Sequence, residues 1–228
     1  MTFGLVHGAW HGAWCWNRVV PLLEQEGHRC VAVELPAEDA DADLTRYAEI
    51  VAGALGDADD VVLVGHSLGG ATIPLVAARR PVLRLVFLCA LLPKPGGSAT
   101  DRYTSEAVFV PGFGGNTATL ENGASYWPDA VAVRRCLCHD CTDADAGWAF
   151  SHLRPQAAAP RLEPWPVGAL PDVERVSIVC RDERCISPDW SRRVSRELLG
   201  VEAVELDGGH SPFLSRPAEL ADTLRSLT

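Results

Sequence analysis

The sequence predicts an α/β fold: a compact, mainly parallel six-stranded sheet flanked by helices, with a mostly helical cap at residues 94–172 inserted into a single domain spanning 1–228. Two observations carry that expectation. Short apolar runs alternate with helix-compatible stretches on both sides of an irregular middle section, a rhythm that requires crossover connections and parallel pairing. In addition, Val61-Val62-Leu63-Val64 runs straight into Gly65-His66-Ser67-Leu68-Gly69-Gly70, and a small-residue helical stretch leaves it. This is Gly-x-Ser-x-Gly in a strand–turn–helix setting, which stands the serine on a tight turn at the end of a sheet strand.

In chain order, Phe3-Gly4-Leu5-Val6 reads as the first buried strand, followed by a turn from His7 to Trp16 rich in glycine, alanine and tryptophan. Residues 17–26 fit a helix with Val19, Val20, Leu22 and Leu23 inward, stopped by Gly27, and residues 28–35 a second strand. Across 44–55 a helix places Leu44, Tyr47, Ile50, Val51 and Leu55 on one stripe. The helix after Ser67 is expected to bend at Pro74, and 83–90 is the next strand. From Leu91 to about Val173 the rhythm stops. Helices are expected there at 129–137 and 144–153, after which five prolines from Pro155 to Pro171 exclude a long regular element. Strands at 176–181 and 201–206, with helices at 189–199 and 217–227, complete the chain. The cap aromatics Phe109, Phe113, Tyr126, Trp127, Trp148 and Phe150 are expected to divide between cap packing and pocket lining.

Composition excludes several functions. An apolar fraction of 47% excludes disorder, and a formal net charge of −10 argues against nucleic acid or an anionic membrane as partner. No apolar run reaches the ~18 residues of a membrane span, and the N-terminus lacks the basic region of an export signal. The eight cysteines therefore read as mostly reduced thiols of a cytoplasmic protein. Cys136, Cys138, His139 and Cys141 crowd together, but no second ligand pair completes a zinc site, so packing thiols are expected.

The chemistry lies in three strand ends. Ser67 alone keeps its proton at neutral pH; a histidine must take that proton, and a carboxylate must hold the histidine in the right tautomer. His210 follows the last strand in Gly208-Gly209-His210-Ser211-Pro212-Phe213, and Asp182 and Glu183 follow the strand before it. The two acids are adjacent, so only one can face His210. The backbone N–H groups of Ala9 and Leu68 would form an oxyanion hole. Gly8, Trp10, His11, Trp127, Trp148 and Phe213 are the expected pocket residues. No metal or cofactor is required.

These stretches, with Leu92-Pro93-Lys94-Pro95-Gly96, resemble the α/β-hydrolase superfamily, and within it bacterial esterases akin to the plant methyl esterase and hydroxynitrile lyase branch. His139-Asp140-Cys141 and Leu153-Arg154-Pro155-Gln156 are similar to bacterial members. The resemblance implies the α/β-hydrolase fold and a serine esterase acting through an acyl-enzyme. Laid over Cys180-Arg181-Asp182-Glu183 without a gap, the family's acid falls on Glu183 and favours it over Asp182. Lyases of the branch resemble a His-Thr start to the first motif and a lysine after the last histidine; here Gly8 and Ser211 stand at those places, which disfavours lyase chemistry. A small ester with an apolar or aromatic part is the implied partner. Thioesterase or lactonase action, a divergent biosynthetic step, a non-hydrolytic binding role and a homodimer joined through the cap are left open.

Overall fold

The computed structural model describes residues 1–227. Strands β1 (Thr2–Val6), β2 (Arg29–Val33), β3 (Val61–His66) and β4 (Arg84–Leu88) occupy the first four apolar runs, joined through α1 (Val20–Glu24), α2 (Leu44–Leu55) and α3 (Gly69–Ala77). The Asp43 side chain caps α2 by accepting the Arg46 N–H at 2.6 Å, and Leu44, Tyr47, Val51 and Leu55 on its inner stripe are buried. The helix expected at 17–26 is shorter. A 3₁₀ turn over Ala13–Trp16 precedes it, and α1 starts only at Val20 with Pro21 in its first turn, where a missing N–H costs nothing. α3 continues through Pro74. The proline cannot donate to the Gly70 carbonyl, and the Trp165 indole N–H donates to the next carbonyl, that of Ala71, at 2.8 Å.

The cap follows β4. It comprises α4 (Ala99–Ser105), the two-stranded hairpin β5 (Ala118–Thr119) and β6 (Ser125–Tyr126), then α5 (Ala130–Cys136), α6 (Asp143–His152) and α7 (Ala159–Leu162). Helices α5 and α6 stand where the sequence predicts them, and the proline-rich stretch allows only the single turn of α7. Helix α4 stands where no helix is expected, opened by a reciprocal capping box between Ser98 and Asp101. The chain then returns to the sheet through β7 (Glu174–Cys180), α8 (Pro188–Val194), a π-helical turn over Ser195–Leu199, β8 (Ala203–Leu206), α9 (Pro212–Ser215) and α10 (Pro217–Ser226).

The sheet order is β2-β1-β3-β4-β7-β8, parallel at every pairing. Every residue of β1 and β3 is buried, as expected of parallel strands covered on both faces. The chain runs outward from β1 to β2, then crosses back to β3. The C-terminal ends of β1 and β3 are therefore neighbours at the point where strand order reverses, the usual place for a ligand in such sheets. The loops carrying Ala9 and Ser67 leave from those two ends. Among the described residues, no helix is long and apolar enough to cross a membrane.

Candidate active site

Ser67 occupies the turn between β3 and α3 with φ of 51°, a left-handed conformation that costs a non-glycine residue about 1–3 kcal/mol. The turn is held from several sides. The Ser67 N–H donates to the Leu88 carbonyl at 3.0 Å, and the Ser67 carbonyl accepts from Leu91 and Gly70 at 2.9 and 3.0 Å. The flanking glycines are steric necessities. A Cβ at Gly65 would lie 2.7 Å from the Gly69 carbonyl oxygen, and one at Gly69 would lie 2.7 Å from the carbonyl oxygens of Val6 and His7. The β1 loop thus packs directly beneath the serine.

That close packing brings the Ala9 N–H beside the turn. Neither the Ala9 nor the Leu68 N–H donates to any described acceptor. Leu68 immediately precedes α3, so its amide lies at the positive end of the helix dipole. The peptide that carries the Ala9 N–H is oriented through its other end, the Gly8 carbonyl, which accepts His7 Nδ1–H at 2.9 Å and the His11 N–H at 3.4 Å.

His210 is buried on the loop after β8. Its Nδ1–H donates to Glu183 Oε2 at 2.7 Å, while Glu183 Oε1 accepts the Cys185 N–H at 2.8 Å. Asp182 faces elsewhere, accepting the Gly208 N–H at 3.3 Å. Of the two adjacent acids, Glu183 is therefore the one that meets the imidazole. Three further buried histidines surround this pair, and burial lowers the pKa of each: His7 to about 4, His11 to about 3, and His66 well below its ordinary value. At neutral pH none of them carries a charge, so none opposes a positive charge on His210.

A cavity of about 260 Å³ opens over Ser67, Ala9 and Leu68. Trp10, Phe109 and Phe113 form part of its wall. Of the expected pocket residues, Trp10 lines the cavity and the other five do not. Gly8 lies under the serine, where a Cβ would come within 2.7 Å of Ser67 Cβ. His11 and Phe213 pack below it, each edge-on to the His66 ring at 5.4 and 4.9 Å. Trp127 backs the wall by meeting Trp10 edge-on at 5.5 Å. Trp148 belongs to a separate surface groove with Trp14 and Arg18. Chain proximity to the motifs and aromatic character do not reveal which face a side chain presents; packing under the turn takes Gly8, His11 and Phe213, packing behind Trp10 takes Trp127, and the outer face of α6 takes Trp148.

Comparison with known proteins places this geometry. The model of the alpha/beta hydrolase family matches residues 5–223. The chain belongs to that family. An alpha-hydroxynitrile lyase of Arabidopsis thaliana is 29% identical to this hydrolase, covering 99% of the chain and 96% of the relative. Methylesterase 2 of the same plant is also 29% identical, over 99% of the chain and 95% of the relative. Among solved structures, a pyrethroid hydrolase superposes with a TM-score of 0.83 at 25% identity, covering 100% of the chain and 96% of that structure.

Further side chains with no role in the sequence analysis hold or border the site. His66 Nε2–H donates to the His210 carbonyl at 2.9 Å across the site, tying the serine strand to the histidine loop. Its position inside the serine motif was visible, but its partner lies on a loop that only the fold brings near. The Arg154 guanidinium donates to the carbonyls of His11 and Leu35 and pairs with Glu34, clamping the cap to the first turn. Cys89, just after β4, has its sulfur within 4.8 Å of ligand atoms of both Glu183 and His210. Cys136, Cys138 and Cys141, expected as packing thiols, are buried free thiols, with Cys138 against Ser211 at 3.9 Å.

Proposed function

We propose that Ser67, His210 and Glu183 act as a catalytic triad that hydrolyses a small carboxylic ester through an acyl-enzyme on Ser67. The observation that carries this reading is the 2.7 Å bond from His210 Nδ1–H to Glu183, on a loop tied to the serine strand by His66. A proton held on Nδ1 leaves Nε2 unprotonated, the tautomer needed to take a proton from Ser67. Ser67 Oγ then attacks the ester carbonyl carbon, and its proton passes to His210 Nε2. The carbonyl oxygen becomes an oxyanion held by the N–H groups of Ala9 and Leu68. Collapse breaks the ester C–O bond as Nε2–H protonates the departing alkoxide. Water, deprotonated by the same nitrogen, attacks the acyl-enzyme and releases the acid and Ser67. The largely apolar and aromatic wall suits a substrate with an apolar or aromatic part.

The same reading treats residues 94–172 as a cap within one domain. It assigns the protein to the cytoplasm on its free thiols. Lyase chemistry of the kind named for the Arabidopsis relative gains no support from position 8, since a side chain there collides with Ser67 Cβ and His66 Nδ1. The test is hydrolysis of short-chain p-nitrophenyl esters and methyl aryl esters by the wild-type protein. Turnover that falls as the acyl chain outgrows the cavity is the expected result. A folded protein that turns over none of these esters contradicts the proposal.

A further inference from the structure

The cap side of the cavity carries a charge that the hydrolytic machinery does not use. Arg161, on α7, lines the cavity together with Tyr103 of α4. The two helices are fastened there: Thr100 Oγ1–H donates to the Arg161 carbonyl at 3.0 Å. A guanidinium stays charged at any physiological pH. That of Arg161 forms no ion pair and donates no hydrogen bond to any described residue, and its Nε is buried. The nearby arginines are satisfied differently. Arg102 pairs with Glu106 at 3.4 Å and donates to the Leu92 carbonyl at 2.9 Å, and Arg154 is occupied by Glu34 and two carbonyls. The acid closest in sequence, Glu163, is engaged by the Leu44 N–H at 2.5 Å. The Tyr103 hydroxyl also lacks a described partner. Burial drives its pKa upward and the Arg161 charge pulls it down, so the phenol keeps its proton while feeling the guanidinium.

A protonated phenol and an unpaired guanidinium lining one cavity offer it hydrogen-bond donors and a positive charge with no acid beside them. A planar carboxylate matches them: the guanidinium fork can donate two parallel N–H bonds and the phenol a third. We propose that this hydrolase selects esters bearing a second, anionic group, a carboxylate held by Arg161 and Tyr103 while the ester carbonyl lies at Ser67. The proposal rests on the hydrolytic reading above. Two substrate classes present that chemistry, half-esters of dicarboxylic acids and esters of carboxylate-bearing alcohols or phenols.

The experiment compares kcat/KM within two matched pairs. Monophenyl glutarate against phenyl valerate places the carboxylate on the acyl side, and 4-acetoxybenzoate against 4-methylphenyl acetate places it on the leaving side. Charge-assisted hydrogen bonds imply a preference for the anionic member of at least one pair by about 10- to 100-fold. Arg161→Gln should bring that ratio near or below one, and Arg161→Lys, which keeps the charge without the fork, should leave an intermediate ratio. The ratio is read whatever the absolute rates, and the lysine variant carries the test if the glutamine variant does not fold. Wild-type ratios near one in both pairs, with the neutral esters turned over, overturn the proposal alone. A preference unchanged in both variants does the same. Failure to hydrolyse any of the four esters removes the hydrolytic reading and this proposal with it.

Discussion

Ser67→Ala is expected to lower ester turnover by about 10⁶, the scale on which a serine hydrolase loses its nucleophile. The substitution removes the Oγ atom and little else. Alanine has the same Cβ as serine and meets the same strain at a φ of 51°, and the bonds that hold the turn are made by the backbone of residue 67. The variant should therefore fold with unchanged thermal stability, and circular dichroism beside steady-state kinetics checks both points. A folded variant retaining a tenth of wild-type turnover would contradict nucleophilic catalysis by this serine.

Glu183→Gln is expected to cost about 10³–10⁴ in kcat, close to the loss seen when a triad carboxylate becomes an amide. The local hydrogen bonds say why an isosteric change should be so damaging. The Cys185 N–H donates to Oε1 and would capture the carbonyl oxygen of the new glutamine. The NH₂ group would then face His210 Nδ1 and favour the tautomer protonated on Nε2, which cannot accept a proton from Ser67. Asp182→Asn should change kcat only a few-fold, since its carboxylate meets the Gly208 N–H at 3.3 Å and not the imidazole. Steady-state kinetics of the two variants side by side decides the matter. A large loss at Asp182, or equal small losses at both, would contradict the assignment of the acid.

Much of this was legible in the sequence because it rests on local rules. The strand–helix alternation predicts the parallel sheet. The Gly65 to Gly69 spacing predicts the serine turn, where each glycine answers a specific backbone contact. Strand ends predict where the histidine and the acid emerge. What escaped depends on contacts between segments far apart in the chain. Asp182 and Glu183 cannot be separated by position, since the choice is made by which carboxylate the loop after β7 turns toward the loop after β8. His66 bonds to the backbone of His210, a pairing that no spacing encodes. Trp148 and Trp127 are equally aromatic in the sequence, yet α6 turns one to a surface groove and the other packs behind Trp10. Helix α4 carries a capping signal in Ser98 and Asp101, but its stretch lacks the apolar stripe by which a helix is read from sequence.

The central claim is that the ester's acyl group passes through Ser67. Rapid quench of a p-nitrophenyl ester with acid, followed by peptide mapping, tests it most directly. The account predicts an acyl mass increment on the peptide containing Ser67, appearing within the first turnover and absent from Ser67→Ala. Full wild-type turnover with no acylated peptide, or with the acyl group on another residue, would contradict it.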